Sequence, residues 1–148
     1  MSTTKEKVAI YARVSPGGDA TERLEKQLNA LVKYCYESGY DPDGSFIYTD
    51  IATAAGRGIE GRLGFTSLIE DTEEKKFKTI LVWGLDRLAR SAESRGHLIH
   101  AVKKYRLKIV DASTATFFSY RKMLPLSFAL AFTMDKKRAR RRAHHEQR

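Results

Sequence analysis

The run Val8-Ala9-Ile10-Tyr11-Ala12-Arg13-Val14-Ser15, followed at once by Pro16-Gly17-Gly18, decides the fold class of this chain. It is short, β-branched and aromatic, so it reads as a buried strand. Side chains alternate between the two faces of a strand. Val8, Ile10, Ala12 and Val14 therefore share one face, and Ala9, Tyr11, Arg13 and Ser15 share the other. A phenol, a guanidinium and a hydroxyl line up towards the carboxyl end, where the Pro-Gly-Gly turn stops the strand. Open α/β sheets bind ligands just beyond that end. Ser15, two residues after Arg13, is the candidate nucleophile for an anionic substrate.

Outward from this run, strands and helices alternate. Asp19 and Thr21 are candidate N-caps of a helix reaching about residue 38, with Leu24, Leu28, Leu31 and Cys35 as its apolar stripe and Gly39 as its C-cap. Gln27 lies on the same side, and a buried amide there needs a partner. Residues 46–49 read as a second strand. The small, Gly-rich stretch 50–61 reads as a mobile loop that carries Arg57 and ends at Arg62. A helix over about 63–75 turns Phe65, Leu68 and Ile69 inward. Residues 79–83 form the third strand, 92–105 a helix with Leu98, Ile99 and Val102 inside, and 107–110 a fourth strand. Residues 113–119 read as a loop. The alternation predicts an α/β fold: a mostly parallel sheet of four to five strands flanked by helices.

A long C-terminal helix completes the expected architecture, with Pro125 in its first turn. Leu126, Phe128, Leu130, Phe132 and Met134 make its first half apolar on more than one face, which calls for more than one covering surface, such as a second subunit. Lys136, Lys137, Arg138, Arg140, Arg141 and Arg142 surround its continuation with positive charge. Of the net charge of +9, residues 121–148 carry +7 and residues 1–120 only +2. Such a block suits a phosphate backbone, so double-stranded DNA is the expected partner. The division expected is a catalytic body over 1–122 and this helix over 123–148.

Several classes are disfavoured. No apolar run approaches the roughly 20 residues of a membrane span. The first seven residues contain no apolar core of a secretory signal, so a cytoplasmic setting is expected. The lone Cys35 cannot form an internal disulfide. The four histidines make no ligand pattern, and no Walker-type glycine loop is present, so neither metal nor cofactor is expected. His97 and His100 fall on a helix, and His144 and His145 in the basic tail, so a Ser-His-Asp triad is unsupported.

The remaining candidates are Ser15, Arg13, Arg62, Arg87 and Arg90, with Tyr11, Gln27 and Asp86 beside them. In Leu85-Asp86-Arg87-Leu88-Ala89-Arg90 a helical turn makes Asp86 and Arg90 i,i+4 neighbours, so the carboxylate can hold an arginine. Attack on a phosphodiester builds negative charge on its equatorial oxygens. Guanidiniums offset that charge with paired hydrogen bonds. A phosphoseryl intermediate would conserve bond energy and allow resealing without ATP.

Tyr11-Ala12-Arg13-Val14-Ser15, Gln27, Arg62-Leu63-Gly64-Phe65 and Leu85-Asp86-Arg87-Leu88-Ala89-Arg90 together, in this order, resemble the motifs of the serine recombinase catalytic domain, the resolvase/invertase group that includes large serine integrases. The resemblance covers residues 6–112 and extends more loosely into the last helix. It implies that Ser15 attacks a DNA phosphate to give a 5′-phosphoserine link and a free 3′-hydroxyl. It further implies that Arg13, Arg62, Arg87 and Arg90 bind the phosphate, oriented by Tyr11, Gln27 and Asp86. Dimers would pair into tetramers for strand exchange, and the last helix would supply the dimer contact and cross the minor groove, with Arg142 near the scissile phosphate. The chain departs from the family pattern at Pro16, Leu63, residues 53–56, Asp135-Lys136-Lys137 and residues 116–122. No second DNA-recognition domain follows the basic run, as in a truncated chain or a short protein relying on a partner for site choice. The alternative is a resolvase-like module that binds DNA and oligomerises without cutting it.

Overall fold

The computed structural model describes residues 4–52, 62–89 and 92–122. Strand β1 (Lys7–Val14) leads into α1 (Ala20–Glu37), β2 (Asp41–Ile51), α2 (Leu63–Glu73), β3 (Thr79–Val82), the single turn α3 (Leu85–Leu88), α4 (Ala92–Tyr105), β4 (Lys108–Asp111), β5 (Thr116–Ser119) and a 3-10 turn (Tyr120–Lys122). The strands lie in the order β2-β1-β3-β4-β5, with the first four parallel and β5 antiparallel. This is the expected α/β architecture.

β1 is an interior strand, and Val8 to Val14 are all buried. Val8, Ile10 and Ala12 join Leu81 and Val110 beneath Leu31 and Cys35 of α1. Ala9 and Tyr11 join Ile80, Val82 and Ile109 beneath Phe65 and Leu68 of α2 and Leu98 and Val102 of α4. The alternation read from the sequence thus serves two cores, one on each face of the sheet. The chain leaves β1 over one face to reach β2, then crosses the other to reach β3. The switch point between the two windings therefore falls between β1 and β3, where open sheets of this strand order bind ligands.

Residues 113–119 are not simply a loop. Thr116–Ser119 pairs with β4, Lys108 opposite Ser119 and Asp111 opposite Thr116. A tight turn makes the hairpin possible: Asp111 Oδ1 accepts from the Ser113 N–H and hydroxyl at 3.0 and 2.6 Å, and Ala115 sits at φ +54°. The Thr-Phe-Phe run suits an edge strand, with Phe118 packed on the core. β2 is also longer than its apolar heart at 46–49. It accommodates Pro42 because it is the opposite edge of the sheet. In α4, Ala101 is buried beside Leu98 and Val102, while Ile99 is only half-buried.

The loop 53–61 with Arg57, Arg90, and the expected helix over 123–148 with Lys136, Lys137, Arg138, Arg140, Arg141 and Arg142 lie outside the described residues. Among the described residues no helix is long and apolar enough to cross a membrane, and no group of three or more His, Cys, Asp or Glu could hold a metal ion.

Candidate active site

The carboxyl ends of β1, β2 and β3 converge on one polar cluster. Ser15 lies just past β1 and is exposed. Immediately before it, the chain is held by Gln27 of α1. The Gln27 Oε1 accepts from the Arg13 N–H at 3.0 Å, and its Nε2 donates to the Arg13 carbonyl at 3.2 Å. The inner-face amide therefore finds its partner in the backbone of β1.

Arg13 points inward and is 2% exposed. Its guanidinium donates to three carbonyls: Ala52 at 2.8 Å, Arg87 at 3.1 Å and Asp86 at 3.4 Å. Arg62, 6% exposed, donates from Nη2 to the carbonyls of Arg87 and Leu88 at 3.1 and 2.8 Å. A one-turn helix has no stability of its own, and its carbonyls need partners. Two buried arginines supply them and so fix α3, which carries Arg87. Arg87 in turn is half-buried and donates from Nη1 to the Arg13 carbonyl at 3.3 Å, two residues before Ser15. The contact Asp86 makes with Arg13 runs through its backbone carbonyl, not its carboxylate.

Beneath Arg62 lies a buried chain of polar contacts. Arg62 Nε and Nη2 donate to the Tyr11 oxygen at 3.2 and 2.6 Å, and the Tyr11 hydroxyl donates to Asp50 Oδ2 at 2.6 Å. Burial pushes the Tyr11 phenol well above its ordinary range, against the opposing pull of Arg62, so it remains protonated and can donate. The Arg62 guanidinium also lies over the Phe65 ring, 4.4 Å from its centroid. Asp50 accepts from the N–H groups of Gly64 and Phe65 at 2.8 and 2.9 Å, satisfying two orphan donors in the first turn of α2. Such an approach needs a glycine: a Cβ on Gly64 would collide with the Thr49 carbonyl oxygen. Asp50 thus belongs to the site, although its place in the sequence marked only the start of a polar loop. An acidic residue ending a strand was the signal available.

Tyr11, Arg13, Gln27, Arg62, Asp86 and Arg87 are therefore brought together around the end of β1. Val14, Gln27, Arg87, Arg23, Lys26, Ala30 and the exposed Trp83 line an open groove of about 380 Å³. It lies between the ends of β1 and β3 and the flank of α1, at the switch point. With three cations and no carboxylate among the described residues of its lining, it suits an anion.

Known proteins share this fold. The family described as Resolvase, N terminal domain, matches residues 8–146. The N-terminal catalytic domain of TP901-1 integrase is 30% identical, over 90% of this chain and 98% of its own, with a TM-score of 0.63. The C-terminal catalytic domain of ISC1926 TnpA, an IS607-like serine recombinase, is 28% identical over 72% of this chain and 67% of its own, with a TM-score of 0.60. A resolvase family site-specific recombinase from Streptococcus pneumoniae shares the fold, with a TM-score of 0.65 at 23% identity over 97% of this chain and 95% of its own. No curated protein matches the chain.

Proposed function

Since the chain belongs to the resolvase N-terminal domain family of serine recombinases, we propose that it cleaves and rejoins DNA with Ser15 as the nucleophile. The Ser15 Oγ loses its proton and forms a bond to phosphorus. The bond from phosphorus to the 3′ oxygen breaks, and that oxygen leaves as a hydroxyl after taking up a proton. The DNA 5′ end remains esterified to Ser15. The exchange consumes no bond energy, so the reverse attack by a 3′-hydroxyl reseals the strand.

The observation that carries this reading is the exposure of Ser15 two residues past the Arg13 carbonyl that Arg87 contacts, in a frame built by the buried Arg13 and Arg62. In this scheme Arg87 and Arg90 offset charge on the phosphate in the transition state. Arg13 and Arg62 act as positioning residues, directing donors to α3, to the Ala52 carbonyl and to Tyr11. Tyr11, Gln27 and Asp86 hold that frame. Lys136, Lys137, Arg138, Arg140, Arg141 and Arg142 bind the DNA backbone. The working assembly is a homodimer that pairs into a tetramer on two DNA sites, in the cytoplasm. Neither metal nor cofactor is called on, because arginine supplies the positive charge.

The test is incubation with a pool of nicked suicide duplexes of randomised sequence, followed by denaturing gels and mass spectrometry. A DNA adduct on Ser15 that is lost in Ser15→Ala is expected. An adduct that persists in Ser15→Ala overturns the assignment. Salt-dependent DNA binding without any adduct indicates a module that binds but does not cut.

A further inference from the structure

The turn that carries Ser15 is built from Pro16, Gly17 and Gly18, with Gly17 at φ +102° and Gly18 at φ +56°. Two successive glycines lose more conformational freedom on ordering than any other pair. Left alone, such a turn would let the Ser15 hydroxyl wander. One side chain opposes this. Arg23, on the first turns of α1, donates from Nη2 to the Ser15 carbonyl at 2.9 Å and to the Gly17 carbonyl at 2.8 Å. Its Nε donates to Asp19 Oδ1 at 3.3 Å, which ties the same guanidinium to the residue at the N-cap position of α1. The Asp19 side chain makes no capping bond of its own.

We propose that Arg23 is a positioning residue that clamps the Ser15–Gly18 turn and so fixes the direction of the Ser15 hydroxyl. The two carbonyls it grips bracket Pro16. Proline fixes its own φ and biases the preceding residue towards extended backbone. Pro16 thus holds Ser15 in line with β1, and Arg23 holds the glycine side of the turn. The pair restrains the turn from both sides, which gives Pro16 a purpose beside the nucleophile. Lysine cannot replace this contact fully, since a single ammonium lacks the planar fork that reaches three acceptors at once. The inference rests on the reading of Ser15 as nucleophile.

The experiment compares the full chain with its Arg23→Ala and Arg23→Lys variants in two measurements. The first needs no DNA: heteronuclear NOE values of the Gly17 and Gly18 amides. They should fall in Arg23→Ala and recover in part in Arg23→Lys, with the melting temperature unchanged. The second is the rate of Ser15 adduct formation on the suicide duplex pool at saturating protein. It should fall about tenfold in Arg23→Ala even where protein saturates the DNA, with partial rescue by lysine. Glycine amides as ordered in Arg23→Ala as in the parent overturn the clamp. So does a rate that returns to the parent's at saturating protein, which would make Arg23 a phosphate contact only. A parent chain that forms no adduct overturns the nucleophile reading instead, and the glycine order then decides the clamp by itself.

Discussion

The side-chain amide of Gln27 bonds both the N–H and the C=O of Arg13, just as a neighbouring strand would. The ladder is thereby carried across to α1 at the last turn before Ser15. Replacing Gln27 by Leu takes this acceptor from the Arg13 N–H, and leaves its carbonyl one donor fewer beside Arg87, in a half-buried place. That should cost about 1–3 kcal/mol, the usual penalty for unsatisfied polar groups. Gln27→Glu keeps the acceptor and loses the donor, so it should fall between the two in urea denaturation.

A second prediction concerns the chain from Arg62 through Tyr11 to Asp50. Tyr11→Phe removes the hydroxyl that both Arg62 and Asp50 contact. We expect a loss of about 1–3 kcal/mol. Asp50→Asn weakens the same link and the seat of α2, so the two changes should be less than additive. A double-mutant cycle in urea, returning a coupling energy of at least about 0.5 kcal/mol, is the check.

Two glycines should respond in opposite directions. Gly64→Ala drives a Cβ into the Thr49 carbonyl, a backbone atom that cannot step aside. Overpacking of this kind costs about 1–3 kcal/mol. Gly96 lies within α4 with none of the described residues near its missing Cβ. Gly96→Ala should therefore stabilise the protein by about 0.5–1 kcal/mol through helix propensity. Thermal melts of the two variants separate these cases.

Acid should expose a small network on the far side of α2. The Asp71 carboxylate accepts from the Tyr48 hydroxyl and, at 3.0 Å, from Lys76 Nζ. The Tyr48 bond, then Lys76, holds its pKa below the ordinary carboxylate value of 3.8. A carboxyl depressed in the folded state binds its proton more readily when unfolded. Its contribution is therefore present above the unfolded value and fades as pH falls through the folded one. Asp71→Asn should be less stable than the parent at pH 7, and the gap should close below about pH 4. Denaturation at several pH values measures it.

Much of this protein was legible in the order of its residues. The alternation in Val8 to Val14 is a local property, because successive side chains must face opposite ways, and it identified a strand buried on both faces. Helical stripes such as Leu24, Leu28, Leu31 and Cys35 are local for the same reason. Together they specified a parallel sheet between helices, and the motif order singled out Ser15 and its arginines. β5 escaped notice because the Asp111 turn that folds it back is a side-chain contact rather than a periodicity.

Which way the arginines face was not written in any local pattern. Arg13 finds carbonyls at Ala52, Asp86 and Arg87, and Arg62 finds them at Arg87 and Leu88, far along the chain. Asp50 became part of the site only when Gly64 and Phe65 brought the first turn of α2 against it. The residue types near Ser15 were set by sequence. Which guanidiniums brace the frame and which lies by the groove was decided by tertiary structure, because a buried charged group must take whatever acceptors the packed chain brings to it.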